Sequence, residues 1–248
     1  MKAFVLLILP VGIVAWQHAA ADPSARKSGP DDVVSLRIIK TTQAVFPVAL
    51  LNKGVRYGET DLMISVDSEG KLDDALVTGY TRPEFAEEAL RVIRQWRYVP
   101  TRFSGQRVST VAGVSCVFEV NGILARVRQP TEPDTNSTLQ EEYAKFGFHV
   151  GTLRELDRIP APIHNALPHY PQEWEAKGIR GAVTVDFFID ETGRTRIVTT
   201  DPSADRFLAG IAMDAVERWR FEPPLSKGKP VLVRAQQLFV FGQAQPGP

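Results

Sequence analysis

Three histidines and two aspartates are the residues that first ask for chemistry. His164 and His169 stand five positions apart in a proline-rich stretch, and His149 lies upstream of both. Histidine metal sites usually combine closer spacings with cysteine or carboxylate ligands. His164 and His169 have no nearby cysteine or paired acids, so solvated loop histidines are expected. Asp67 and Asp190 open the tetrapeptides "DSEG" and "DETG". A pair of carboxylates can do acid–base work. At the head of a tight turn, however, Asp commonly caps the turn while Gly supplies the positive φ. Cys116 is the one cysteine, so no internal disulfide can form. It sits in the alternating run "VSCVFEV" and reads as a small buried hydrophobe, not a reactive thiol. Nucleophile-elbow, zinc-protease, Walker A and dinucleotide glycine motifs are absent. No catalytic, cofactor-binding or metal-ligating residues are therefore expected. An enzyme with its site in the central polar stretch ranks last among the readings.

The elements around these residues are written twice. Trp96 and Trp219 lie 123 positions apart, inside "VIRQWRYVP" and "VERWRFEPP". At that offset Gly70 falls on Gly193, Pro100 on Pro223 and Phe118 on Phe241. Matches at so many turn and core positions mark an internal duplication. Each copy opens with a short helix, Pro47–Lys53 or Pro171–Lys177, closed by a glycine. A strand with period-two alternation follows, carrying Leu62, Ile64 and Val66, or Val183, Val185, Phe187 and Ile189. After the Asp-x-x-Gly turn come a second strand and an amphipathic helix ending at the Trp. Pro100 and Pro223 stop that helix. A glycine turn then leads to a long last strand, 108–120 or 231–241. The Trp and the aromatic two residues on are expected to be core plugs. Arg97 and Arg220 suit the negative end of the helix dipole.

The chain carries 29 basic and 29 acidic residues. No basic stripe suggests nucleic acid. Residues 1–21 read as a signal peptide: Lys2, then the apolar run "AFVLLILPVGIVAW", then three alanines with cleavage expected after Ala21. The run is short for a membrane span and is broken by Pro10 and Gly12. The domains are placed at 33–120 and 156–243, with a linker at 121–155.

The punctuation of each copy resembles the TonB C-terminal domain family. The residues that carry the resemblance are Tyr170-Pro171, Gly181, "IDETG" (189–193), Ala212, Ala215, "WRFEP" (219–223) and Gly228. The first copy has Phe46-Pro47 where the family has Tyr-Pro, then Asp67 to Gly70, Trp96 to Pro100 and Gly105. The resemblance implies an α+β fold: in each copy a three-stranded antiparallel sheet, one main helix on one face, and the last strand at an open edge. It implies a non-catalytic protein of the Gram-negative periplasm that takes an extended segment of an outer-membrane or periplasmic transport protein as an added strand. The candidate binding residues on the last strands are Leu232, Arg234, Gln236, Leu238 and Val240, and Ser109, Val111, Gly113 and Ser115. Two alternatives stand beside this reading. The edges pair within the chain or in a self-associated dimer, or an uncleaved N-terminus anchors an energy transducer in the membrane.

Overall fold

Alternation in "DLMISV" and "VTVDFFI" sends every second side chain to one side of a strand, and a helix with apolar residues three and four apart covers that side. The computed structural model describes residues 36–103, 105–120, 122–128, 147–201 and 203–242. The signal expected at 1–21 lies outside them. The described residues fall into two compact units, one ending at His149 and one beginning at Val150.

In the first unit, β1 (Arg37–Lys40) and α1 (Val48–Asn52) lead into β2 (Tyr57–Val66) and β3 (Leu72–Tyr80). Helix α2 (Pro83–Ile93) follows, with Pro83 in its first turn. The short strands β4 (Arg97–Val99), β5 (Thr101–Phe103) and β6 (Gln106–Val108) precede the long β7 (Thr110–Glu119). Two further strands, β8 (Gly122–Arg128) and β9 (Phe148–His149), fall in the stretch expected to be linker. The sheet order is β8-β7-β2-β3-β9, five strands rather than the expected three. Phe85, Ala89, Val92 and Ile93 of α2 meet Leu62, Ile64, Val66, Val114 and Phe118 in the core.

The second unit repeats the frame. It comprises β10 (Gly151–Thr152), β11 (Pro162–His164), α3 (Gln172–Ala176), β12 (Gly181–Ile189) and β13 (Thr195–Thr200). Helix α4 (Arg206–Glu217), β14 (Arg220–Phe221), β15 (Leu225–Ser226), β16 (Lys229–Pro230) and β17 (Val233–Phe241) complete it. Asp205 caps α4 by accepting the N–H groups of Phe207 and Leu208, both at 3.0 Å. The sheet order is β10-β17-β12-β13. The α+β frame of each copy is as the sequence implied, and each sheet is wider.

The Trp-Arg-aromatic segment does more than plug the core. β14 pairs antiparallel with β11 of the lead-in, and β4 pairs likewise with β1. The Trp219 indole N–H donates to the Ala166 carbonyl at 2.7 Å, and Trp96 makes a longer contact, 3.5 Å, to the Thr42 carbonyl. Trp219 itself is 2% exposed. The hairpin turn docks on the same segment, with the Phe221 N–H donating to the Gly193 carbonyl at 2.8 Å. A Cβ at Gly193 would lie 1.9 Å from the Phe221 carbonyl oxygen, and one at Gly70 would lie 2.5 Å from that of Tyr98. This close approach, added to a positive φ, explains why both hairpins carry Gly there.

Two predictions follow from this junction. G193A should cost on the order of 3 kcal/mol or more, because backbone must move. G54A has a similar φ of +79° but nothing within 4 Å of the added carbon, so it should cost only about 1 kcal/mol. Urea unfolding of the two variants checks the contrast. W219F, which strands the Ala166 carbonyl, should cost at least about 1 kcal/mol in the same assay.

Candidate functional site

The expected site residues separate into two groups. In the first unit, β2 flanks β7 along its whole length. The other side of β7 is taken by β8, from Gly113 opposite Arg128 to Glu119 opposite Gly122. Gly113 and Ser115 are therefore not at an open edge, contrary to expectation. The physical reason is local: the chain turns back after Glu119 and satisfies the outward N–H and C=O groups of β7 itself. Val111 pairs with Ser65 and lies beyond the end of β8, while Ser109 sits just before β7. Ser115 is buried and donates to Glu59 Oε1 at 2.6 Å.

The second unit differs. β12 flanks β17 from Val233 to Phe241. Among the described residues the far side of β17 meets one strand, β10, in parallel at Val233 and Arg234. The Gly151 N–H donates to the Leu232 carbonyl at 3.3 Å. Backbone polar groups alternate sides along a strand. Leu232, Arg234, Gln236, Leu238 and Val240 therefore turn theirs outward. Leu232 and Arg234 lie beside β10, and Leu232 is buried. Gln236, Leu238 and Val240 have no strand beside them among the described residues. Their side chains lie on the sheet face away from α4, where Leu238 is 43% and Val240 41% exposed. The Gln236 amide and the Arg234 guanidinium both donate to Asp186 Oδ1 at 2.8 Å.

The short strap at the start of this edge is well fastened. Glu155 accepts the Thr152 N–H at 2.9 Å in a capping box. The Asp157 carboxylate accepts the N–H groups of Lys227 and Gly228, each at 2.8 Å. Those two bonds hold the Asp157 carboxyl below its usual range. β10 thus blocks one end of the edge, and no other described strand covers the rest.

The residues with chemical potential are otherwise engaged. Asp67 Oδ1 accepts the N–H groups of Glu69 and Lys71 across its turn, both at 2.9 Å. Asp190 Oδ1 accepts from the Thr192 N–H and hydroxyl and from the Arg194 N–H. Burial works against its ionisation, but these bonds and Arg196 at 3.6 Å outweigh it and hold the carboxyl low. Cys116 is buried in the core, and burial with Asp61 and Glu59 nearby pushes its thiol up to about 12. His149, His164 and His169 are exposed. Among the described residues no cluster of three or more potential metal ligands occurs. No helix among them is long and apolar enough to cross a membrane.

A family description, the C-terminal domain of the Gram-negative bacterial TonB protein, matches residues 43–120 and again 166–242. The chain belongs to the TonB C-terminal family. Membership places it in a non-catalytic family. Protein TonB of Pseudomonas aeruginosa is 35% identical over 98 residues, which are 38% of this chain and 28% of that protein. The chain thus matches less than a third of that TonB. The solution structure of the Pseudomonas aeruginosa TonB C-terminal domain is 31% identical, with 36% of this chain and 90% of that domain covered and a TM-score of 0.31. The open side of β17 is a feature the repeat pattern alone did not separate from its closed counterpart on β7. The signal that could have done so is the apolar run "GILARV" soon after the first last strand.

Asp190 makes a pH prediction. Its folded pKa lies below the ordinary 3.8. It therefore stabilises the fold above the unfolded value, and that contribution disappears as pH falls through the folded value. The stability gap between wild type and D190N should be full above about pH 5 and shrink steadily below about pH 4. Denaturant titrations at stepped pH read it directly. Cys116 should resist thiol reagents in the folded protein and react at once after unfolding.

Proposed function

We propose that the protein is a cell-envelope component of TonB-linked transport whose second TonB C-terminal copy takes up an extended segment of an outer-membrane transport protein. One observation carries the reading: β17 is paired on one side along its length and, among the described residues, has no strand on the other beyond Arg234. An incoming strand would find the outward backbone groups of Gln236, Leu238 and Val240 in register for a ladder. Main-chain hydrogen bonds would supply affinity, and alternate side chains selectivity. Bare edges invite aggregation and are normally blocked. In the same chain the equivalent edge of the first copy is closed by β8, which favours a scaffold role for that copy. The N-terminal run and its three alanines support export to the periplasm, and the family supports the outer-membrane partner.

The test uses a residue whose N–H faces the open side. Proline is tolerated on an edge strand where its missing N–H would point away from the neighbour. L238P should unfold at close to the wild-type urea midpoint. It should bind extended segments of outer-membrane transporters at least about tenfold more weakly, having lost a central ladder position. Equal binding by L238P and wild type would sink the reading. So would the absence of any bound segment together with exchange-protected outward amides on β17.

A further inference from the structure

Gln237 is the odd residue on the inner row of β17. Its neighbours on that row, Val233, Ala235, Phe239 and Phe241, are apolar and buried beneath α4. Gln237 is only 6% exposed. Its Nε2 donates to the Leu238 carbonyl at 2.8 Å. Leu238 is one of the residues whose backbone groups turn to the open side. The amide has therefore bent out of the inner row to the bare edge and placed its nitrogen where a ladder N–H would otherwise stand. That pairing also settles which end of the amide is which, since a carbonyl accepts only from nitrogen.

The other end of the amide has no hydrogen-bond partner among the described residues. Gln237 Oε1 is buried, and no donor among the described residues reaches it. A buried acceptor left unpaired costs about 1–3 kcal/mol, and native structures rarely keep one without a reason. At the 123-residue offset, the first copy carries Val114 at this position. Val114 is fully buried, and β8 sits beside it with Val127 opposite. The copy with a filled edge has an apolar residue, and the copy with a bare edge has an amide with a spare acceptor.

We infer that Gln237 is the selectivity residue of the open edge, reading a hydrogen-bond donor carried by the incoming segment. The inference rests on the strand-addition reading above. An added strand brings its own N–H to the Leu238 carbonyl and frees the Gln237 nitrogen. A hydroxyl or amide side chain on that strand, turned to the α4 side, then donates to Oε1. The preferred partner carries Ser, Thr, Asn or Gln at one position of an otherwise β-forming stretch. Valine at that position fills the space but leaves the acceptor unpaired.

The experiment measures affinity of the full chain for short valine-rich peptides in which one threonine is walked along the sequence. Wild type should bind the peptide with threonine at one position about tenfold tighter than the all-valine peptide. Q237V, which copies the first repeat, should fold at least as stably and lose that preference while still binding the all-valine peptide. Q237M serves the same purpose if Q237V leaves a cavity that lowers stability. Equal affinity for every peptide, with binding still lost in L238P, would overturn the role of Gln237 and leave strand addition standing. Failure of wild type to bind any peptide would overturn both. Persistence of the threonine preference in Q237V and Q237M would also overturn the role.

Discussion

The indole N–H of Trp219 bonded to the Ala166 carbonyl is the constraint on which the second unit turns. It ties the end of α4 to the lead-in while the ring fills the core. Phe187, Phe221 and Phe239 all pack around that ring. One residue on, the chain becomes β14, which pairs with β11 and accepts the hairpin turn at Gly193. Helix, lead-in, hairpin and sheet therefore meet at one buried aromatic. A large ring can hold four elements at once because it offers area on every side and needs only one polar partner.

That junction bears on binding through Phe239. With Phe239 and Phe241 locked under the helix, β17 has little freedom to shift register. Its outward row is consequently presented in a fixed, extended form. A preformed edge loses less conformational entropy on strand addition than a loop would. The strap at Gly151–Thr152, fastened by Glu155 and Asp157, sets where the open stretch begins.

The two copies show one frame carrying two edges. In the first, the sheet continues through β8, and the acidic residues Glu59 and Asp61 lie buried on the face away from α2. In the second, the matching positions are Ala182 and Thr184, both exposed. The divergence lies on the outer face, at the edge and at inner-row positions such as Val114 against Gln237, while both copies keep the buried Trp, the aromatic two residues on and the small helix residues. Folding demands the core in each copy. Nothing in folding demands the edge, so it is free to differ.

The sequence by itself determined the duplication, the β-hairpin turns, the helix faces and the family. Period-two and period-four apolar patterns, Asp-x-x-Gly turns and the Trp-Arg-aromatic-x-Pro exits report local geometry, and local geometry repeats wherever the residues do. Cys116, Asp67 and Asp190 were legible for the same reason, since each serves its own segment. Only the tertiary structure decided which last strand is bare. "VSTVAGVSCVFEV" and "VLVRAQQLFVF" read as equivalent strands, and the difference depends on what lies beside them. Gly151 meets Val233 across the whole second copy, and Gly113 meets Arg128 only because the chain turns back after Glu119 in a stretch that reads as linker. The bent amide of Gln237 was hidden likewise, because a glutamine among apolar residues acquires meaning only when its strand has an open side.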